Sequence, residues 1–182
     1  MGRRKRIWLP NYFYHIVCRG NRRDALFNDK HDFLTYLYIL RQIYDRYPFE
    51  IASYCLMTNH LHLQLMSPEQ PISKIMSLVN KRYADYYNTK YKMTGHVYEK
   101  RYFDKIIPDP IAMLEVSRYI HLNPLEAQMV LNPEDYRWSS YRHFSSEKTT
   151  KVEPFFNTNR ILDYFPGTDE EKKLAYCEFV EK

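Results

Sequence analysis

Cysteine, glycine and long apolar runs are all scarce in this sequence of 182 residues. Its three cysteines lie far apart without a CxxC pair, which argues against a disulfide framework or a four-cysteine zinc site and fits a reducing cytoplasm. No stretch approaches about 20 consecutive apolar residues, so we expect no helix that crosses a membrane. Apolar residues make up 45% and charged residues 27% of the chain, a composition typical of globular proteins. We therefore expect a soluble, cytoplasmic protein.

Glycine occurs only 4 times, whereas tyrosine occurs 18 times. The charge is also uneven: residues 1–100 contain 16 Lys and Arg against 8 Asp and Glu, whereas residues 101–182 contain 11 against 14. A basic region rich in aromatic rings that can stack indicates a polyanionic partner, single-stranded nucleic acid in particular. The alternative is that the tyrosines serve as half-buried core residues.

The hydrophobic periodicity predicts alternating strands and helices. Strand patterns occur at residues 12–19, 50–57, 60–66 and 96–107. Helical apolar stripes occur at residues 29–47, from Pro71 onward, at 109–123 and in a short segment that ends near Leu131. This order predicts an α+β fold in which helices pack on one face of an antiparallel sheet. The pattern weakens from Ser145 onward, so we expect residues 1–144 to form one domain and residues 145–182 a tail or extension.

A short histidine motif, His60-Leu61-His62, begins the segment of strictest alternation. On a strand, residues i and i+2 share a face and lie ~6.6–7 Å apart, so the two imidazoles can converge on one metal ion. Leu61, Leu63 and Leu65 point to the opposite face, and their burial would fix both imidazoles in place. The motif alone is weak evidence, because two half-exposed histidines on a solvent face give the same pattern.

The segment RYIHLNP places Tyr119 and Asn123 four residues apart, on one face of a helix. One helix could thus direct a phenol and a carboxamide oxygen to a single point. Tyr119 could equally be a core residue. Asn123 could be the N-cap of a following helix, with Pro124 and Glu126 in its first turn. The two interpretations of Asn123 do not exclude each other.

Six blocks of sequence occur in an order that is similar to that of a known family. They are YHIVCRGNRRDALF (14–27), SYCLMTNHLHLQLMSP (53–68), KRYADYYN (81–88), TGHVYEKRY (94–102), SRYIHLNPLEAQMV (117–130) and EDYRWSSY (134–141). The chain resembles the single-tyrosine HUH transposases, which act on single-stranded DNA, and is most similar to the REP-associated tyrosine transposases. Several ordered blocks are far more specific than one His-x-His motif, and together they cover about residues 11–144.

The resemblance implies a ferredoxin-like fold and a metal-dependent endonuclease and strand transferase that acts on single-stranded DNA. It implies that His60 and His62, with Asn123 as third ligand, hold Mg²⁺ or Mn²⁺. Tyr119 would be the nucleophile that forms a 5′-phosphotyrosine intermediate. The implied partner is a single-stranded DNA hairpin, from a palindromic repeat or an element end, bound by a monomer or a homodimer.

Basic and polar residues outside these motifs are candidates for contacts with DNA. They are Arg3, Arg4, Arg6, Arg19, Asn21, Arg22, Lys81, Arg82 and Arg101. The alternatives are a solvated N-terminal arm, a charged loop and a solvated helix face.

Two other functions stay open at this point. One is a catalytically inactive protein of the same fold that only binds hairpin DNA. The other is a metal-dependent hydrolase of small phosphoesters that uses the two histidines without a covalent step. An intact set of His60, His62, Tyr119 and Asn123 favours the nuclease over the first of these.

Overall fold

The computed structural model describes residues 8–145 and 152–182. Within them, the strands are β1 (Tyr14–Arg19), β2 (Glu50–Leu56), β3 (His60–Met66) and β4 (Phe103–Ile106). The helices are α1 (Lys30–Tyr44), α2 (Ile72–Tyr91), α3 (Pro110–Glu126), α4 (Arg142–Ser145), α5 (Asn159–Leu162) and α6 (Asp169–Glu181). The strands pair antiparallel in the spatial order β2-β3-β1-β4. With the chain order β1-α1-β2-β3-α2-β4, this is a ferredoxin-like topology, and the predicted α+β fold class is confirmed.

Helices α1 and α2 begin where the sequence signals place them. The backbone N–H groups of His31 and Asp32 donate to the Asp29 carboxylate, which therefore caps α1. Pro71 occupies the N-cap of α2. The predicted apolar stripe of this helix is buried apart from its last member, Tyr86, which is half-buried; the buried members are Ile72, Ile75, Met76, Val79 and Tyr83. No helix in the described part of the chain is both long and apolar enough to span a membrane.

The sheet face that carries Leu61, Leu63 and Leu65, here called the leucine face, packs against α1 and α2. All three leucines are fully buried. Cys18, which pairs with Leu61 across β1 and β3, lies on the same face and contacts Asn80 of α2, with its Sγ 3.7 Å from the Asn80 Oδ1. This arrangement confirms the prediction that the two long helices cover the leucines.

The opposite face carries His60, His62 and Gln64 and is here called the histidine face. It is covered in part by α3, because Gln64 donates from Nε2 to the carbonyl of Met113 at 3.0 Å. The expectation that helices lie on one face therefore holds for α1 and α2 but not for α3. The reason is visible in the strands: six of the seven residues in each of β2 and β3 are buried, so both faces of these strands need a cover.

Helix α3 continues through Asn123 and Pro124 to Glu126. The interpretation of Asn123 as the N-cap of a new helix is therefore wrong. Pro124 lies in the last turn of α3, where its missing N–H deprives only the Ile120 carbonyl of an intrahelical partner. The helix nevertheless stays continuous, and Asn123 lies on the same face as Tyr119.

The sequence pattern of residues 96–107 predicts strands on both sides of a turn, but the structure of this segment is less regular. Only Phe103–Ile106 is a strand. Before it, Tyr98 forms an isolated bridge with Gly20, and the Glu99 N–H donates to the carbonyl of Arg19 at 3.0 Å. These bonds extend the edge of β1 beyond β4 and place residues 95–102 beside the end of β1.

The described part of the C-terminal segment packs on the same core. The Ile51 N–H donates to the carbonyl of Phe155 at 2.7 Å, and the Ile51 carbonyl accepts from the Asn157 N–H at 3.0 Å. These bonds pair backbone groups along the outer edge of β2, which would otherwise be an open sheet edge. Tyr176 of α6 is fully buried beside α3.

A buried carboxylate, Asp32, ties the start of α1 to the end of α2. It accepts hydrogen bonds from the backbone N–H groups of Asn28 and Asp29, the hydroxyls of Tyr86 and Tyr91 and the ammonium group of Lys90. Burial opposes ionisation, but the hydrogen bonds from Lys90 and Tyr91 outweigh it and hold the Asp32 pKa below its ordinary value of 3.8. The carboxylate is therefore charged and fully satisfied inside the protein.

Replacing Asp32 with asparagine should lower the free energy of unfolding by about 2–3 kcal/mol at neutral pH, since hydrogen bonds to a charged group each contribute about 1.5–3 kcal/mol. The contribution is present above pH 3.8 and is lost as the pH falls through the lower folded-state pKa. Urea unfolding at neutral and acid pH measures both effects. Asp163→Asn, which removes an exposed partner of Lys172, is the control and should change stability little. Equal stability of the Asp32 variant and the wild type at neutral pH would contradict this account.

Candidate active site

Strand β3 presents His60 and His62 together on the histidine face, as the alternation predicts. The register places His60 opposite Arg19 and His62 opposite Val17 of β1. The centroids of the two imidazole rings lie 5.0 Å apart. His62 is almost completely buried and His60 half-buried, so the pair is largely shielded from solvent.

Helix α3 brings Tyr119 and Asn123 to the same place. Asn123 Oδ1 lies 3.2 Å from His60 Nε2, although 63 residues separate them in the chain. The Tyr119 ring stands edge-on to that of His62, with centroids 5.4 Å apart. The structure therefore assembles all four side chains that the sequence nominated for metal binding and nucleophilic attack.

Two hydrogen bonds fix how His60 and Asn123 face each other. Asn59 donates from Nδ2 to the carbonyl of Arg23 at 3.3 Å, which directs its Oδ1 to His60 Nδ1 at 2.7 Å. Asn123 donates from Nδ2 to the carbonyl of Tyr119 at 3.2 Å, which turns its Oδ1 toward His60 Nε2. Both amide groups thus have a defined orientation.

In this geometry two acceptor atoms, His60 Nε2 and Asn123 Oδ1, can face each other with their lone pairs. Burial lowers the His60 pKa, the charge of Arg19 acts in the same direction, and the contact with Asn123 only partly opposes them. With the one proton of neutral His60 on Nδ1 and donated to Asn59, its Nε2 presents a lone pair to the Asn123 oxygen. His62 contributes another, because its buried Nε2 has no hydrogen-bond partner among the described residues. Buried acceptor atoms without a donor are the pattern that a bound cation would satisfy.

His15 of β1 completes the site, although the sequence analysis did not single it out. Its Nε2 lies 3.0 Å from His62 Nδ1, and the two rings stack with centroids 5.2 Å apart. Burial lowers the pKa of His15 to about 4 and that of His62 well below its ordinary value, so both rings are neutral. With the His62 proton on Nδ1 and donated to His15, the His62 Nε2 lone pair faces the cluster.

The donor set of this cluster fits a small divalent ion. In residues 8–145 and 152–182, no three His, Cys, Asp or Glu side chains form a group that could hold a metal. The set here is of another kind, with two imidazole nitrogens from His60 and His62 and one amide oxygen from Asn123. Imidazole nitrogens and an amide oxygen can bind a divalent ion, and three protein ligands would leave coordination positions free for other ligands.

Tyr119 is the accessible tyrosine of the site. Its side chain is 45% exposed, and no other described residue forms a hydrogen bond with its hydroxyl. Tyr83 and Tyr86, which also belong to family-like blocks, lie in α2 on the leucine side of the sheet. Their hydroxyls donate to the Leu26 carbonyl at 2.6 Å and to Asp32 at 2.9 Å. Among these three, only Tyr119 can present its oxygen to a substrate at the histidines.

Three of the predicted DNA contacts lie at the end of β1. Arg19 is exposed and pairs with His60 across the strands. Asn21 and Arg22 form the short 3₁₀ turn that follows. Gly20 precedes this turn, and a Cβ on it would lie 2.0 Å from the Asp24 carbonyl oxygen, so the turn requires glycine there.

The other predicted contacts are spread over different surfaces. Lys81 and Arg101 line one cleft of about 540 Å³ between α2 and residues 95–102. Arg82 is exposed on the other side of α2 and donates to Gln42 of α1 at 3.4 Å. Arg3, Arg4 and Arg6 lie outside the described residues. The structure thus groups Lys81 with Arg101 and separates Arg82 from both.

Helix α3 is anchored on the side away from the site. The fully buried His121 has its Nδ1 2.6 Å from the Tyr176 hydroxyl and its Nε2 2.7 Å from the Ser140 hydroxyl. Ser117 Oγ lies 2.6 Å from the same Tyr176 hydroxyl, and Ser140 bonds the backbone of Tyr54 in β2. This network joins α3 to α6 and to the sheet, and it fixes the helix that supplies the phenol and the amide of the site.

Comparison with known proteins gives a consistent set of matches. A family model described as "Transposase IS200 like" matches residues 9–123, more than half of the chain. A Haemophilus influenzae protein named as a REP-associated tyrosine transposase is 22% identical over 142 residues, which cover 71% of this chain and 78% of the relative. A solved structure of a REP-associated tyrosine transposase bound to a REP hairpin superposes with a TM-score of 0.68 at 16% identity, covering 87% of this chain and 93% of that one. The last match shows the shared fold.

Tyr176→Phe tests the anchor of α3. The change keeps the buried ring but leaves Ser117 and His121 without their shared partner, so the free energy of unfolding should fall by about 1–3 kcal/mol. Thermal or urea unfolding measures the loss. Tyr38→Phe removes an exposed hydroxyl and serves as the control, for which we expect almost no change. A Tyr176 variant as stable as the control would show that the network does not hold the helix.

Proposed function

The chain belongs to the IS200-like transposase family, and on this premise we propose that it is a metal-dependent endonuclease and strand transferase that acts on single-stranded DNA beside hairpins. The observation that carries the proposal is the meeting of α3 and β3. Tyr119, whose hydroxyl forms no hydrogen bond with another described residue, stands edge-on to His62, while Asn123 of the same helix faces His60. The proposed nucleophile and the proposed metal ligands thus lie side by side within a single chain.

The proposed reaction forms a covalent link to Tyr119. Its phenolic oxygen attacks the phosphorus of a phosphodiester and loses its proton, because an ordinary phenol, with a pKa of about 10, is a weak nucleophile while protonated. The bond from phosphorus to the 3′ oxygen breaks, and that oxygen takes up a proton and leaves as a 3′-OH. The product is a 5′-phosphotyrosine diester and a free 3′ end.

The same chemistry allows strands to be rejoined. The phosphotyrosine link is still a phosphodiester, so no bond energy has been lost to hydrolysis. A 3′-OH from another strand can attack the same phosphorus, release the Tyr119 oxygen as a phenol and join the two strands. This strand exchange needs no nucleoside triphosphate. Cutting and rejoining strands in this way is the reaction that a transposase performs.

His60, His62 and Asn123 would hold the divalent ion that the family implies. A bound ion would withdraw charge from the phosphate and orient it for in-line attack. The chain's own residues prepare the ligands: His15 keeps the proton of His62 on Nδ1, and Asn59 does the same for His60. Imidazole ligands favour Mn²⁺ over Mg²⁺ in intrinsic affinity, so we propose Mn²⁺ or Mg²⁺ as the ion.

The proposed partner is a DNA hairpin with single-stranded flanks, and the structural relative is itself bound to a REP hairpin. Arg19 stands beside His60 and would hold phosphates near the cleaved bond, while Asn21 and Arg22 extend this basic edge. Lys81 and Arg101 line a separate cleft that would hold another part of the DNA. We keep Arg3, Arg4, Arg6 and Arg82 as proposed contacts as well, the first three being outside the described residues.

Tyr119→Phe should abolish cleavage and leave DNA binding intact, because it removes only the attacking oxygen. Labelled single-stranded hairpins are incubated with the protein and Mn²⁺, and a denaturing gel detects a protein-linked fragment. Tyr164→Phe, which changes a similarly exposed tyrosine of the C-terminal segment, should form the adduct like the wild type.

Three results, two from this experiment and one from a phosphoester assay, would count against the proposal. An adduct in the Phe variant would move the nucleophile to another residue. Hairpin binding by the wild type without any adduct would favour the inactive binding protein of the same fold. Phosphate release from small phosphoesters without a DNA adduct would favour the third alternative, a hydrolase.

His60→Ala and His62→Ala should each lose both Mn²⁺ binding and cleavage, because each removes one of three proposed ligands. Isothermal titration of the protein with Mn²⁺ measures the first effect, and the adduct assay measures the second. His31→Ala, at an exposed position of α1, is the matched control and should bind and cleave normally. Unchanged Mn²⁺ uptake in both variants would remove the metal site from the proposal.

A further inference from the structure

The histidine face is only partly covered, and its uncovered part carries an exposed phenylalanine. Helix α3 packs over β2 and β3, whereas Val17 of β1 is half-buried and Phe103 of β4 is 51% exposed. All ten phenylalanines lie in the described residues, and Phe103 alone is exposed. This large ring is exposed on the same sheet face as the proposed site, where a partner could cover it.

We propose that Phe103 is a stacking platform for a base of the single-stranded DNA next to the cleaved phosphodiester. This inference rests on the proposed function and adds to it a binding subsite that no family motif marks. Every base has a π-face, so such a platform would accept single strands with little regard to sequence. It would not bind the paired bases of a duplex, whose faces are already stacked.

The register of the sheet places this ring in line with the site. Val17 pairs with His62 on one side and with Phe103 on the other, so the three side chains form a row across one face of the sheet. Neighbouring strands lie about 4.8 Å apart, which puts the Cα atoms of His62 and Phe103 about 10 Å apart. This equals about three nucleotides at the 3.4 Å rise of a stacked DNA strand.

The charges on the same face suit a strand that follows this row. Lys105 pairs with His15 across β1 and β4 and is exposed. Arg19 is exposed at the other end of β1. The two cations therefore lie on either side of the row from His62 to Phe103. A backbone held by Arg19 and Lys105 would leave its bases free to lie on Val17 and Phe103, which is the arrangement of electrostatic groove and aromatic platform used for single strands.

The test compares two substitutions that distinguish the effect of the aromatic face from the effect of side-chain size. Phe103→Leu keeps an apolar side chain of similar size and removes the aromatic face, whereas Phe103→Tyr keeps the face. Both are made in the Tyr119→Phe protein with EDTA present, so that no cleavage occurs. Fluorescence anisotropy measures binding of a labelled oligothymidine and of a labelled duplex of equal length. Tyr164→Ala, which removes an exposed ring elsewhere, is the control.

We expect Phe103→Leu to weaken oligothymidine binding by about fivefold or more, since stacking on one aromatic side chain contributes about 1–3 kcal/mol per base. Phe103→Tyr and Tyr164→Ala should bind like the parent protein, and duplex binding should be equal in all variants. Because Phe103 is exposed on an edge strand, we expect all variants to unfold at similar temperatures.

Three outcomes would overturn the inference. If the parent binds oligothymidine and Phe103→Leu binds it equally well, the stacking subsite is disproved, and the proposed function is not affected. If the Leu and Tyr variants lose the same affinity, the position acts through shape rather than through its ring. If the parent does not bind oligothymidine at all, the subsite falls, and the adduct assay with hairpin DNA then decides the proposed function independently.

Discussion

Strand β3 is buried on both faces, and this constraint places every other part of the site. Its period of two sends Leu61, Leu63 and Leu65 into the layer formed with α1 and α2, and it sends His60 and His62 to the opposite face. A shift of one residue would exchange the two sets and bury the imidazoles in the apolar layer against α1 and α2, so the hydrophobic core itself fixes the register of the site. Helix α3 then packs on the histidine face of the sheet and places the phenol of Tyr119 beside the two histidines.

Around the histidines, burial and hydrogen bonding act together. Low pKa values keep His15 and His62 neutral, and neutral imidazoles have one lone pair each to offer. Their neighbours decide where that lone pair points: Asn59 orients His60, and His15 orients His62. The amide of Asn123 is held in turn by the backbone of its own helix. Such support keeps ligand atoms in place before an ion or a phosphate arrives.

The two halves of the histidine face have different surroundings. Beside α3 the sheet is largely buried and carries the groups proposed for the chemistry, and beyond α3 it is open and carries Phe103, Lys105 and Arg19. In the proposed function a single-stranded substrate would use both parts, with a phosphate at the histidines and bases on the open sheet. The buried network of His121 and Tyr176 stands behind α3, so the boundary between the two halves rests on the packing of the C-terminal helix.

Local sequence patterns determine several of the secondary-structure elements and which of their side chains share a face. The strict alternation of residues 60–66, the apolar stripe of α2 and the spacing of Tyr119 and Asn123 depend only on neighbours along the chain, so the sequence by itself determined these elements and which side chains share a face. The continuous helix through Pro124, the second helical layer over the histidines and the presence of His15 in the site were decided by the tertiary structure. Each depends on which distant segments meet: β1 places His15 against His62 only through its register with β3. No periodicity within one segment encodes that pairing, because register and layer order arise from the packing of the whole core.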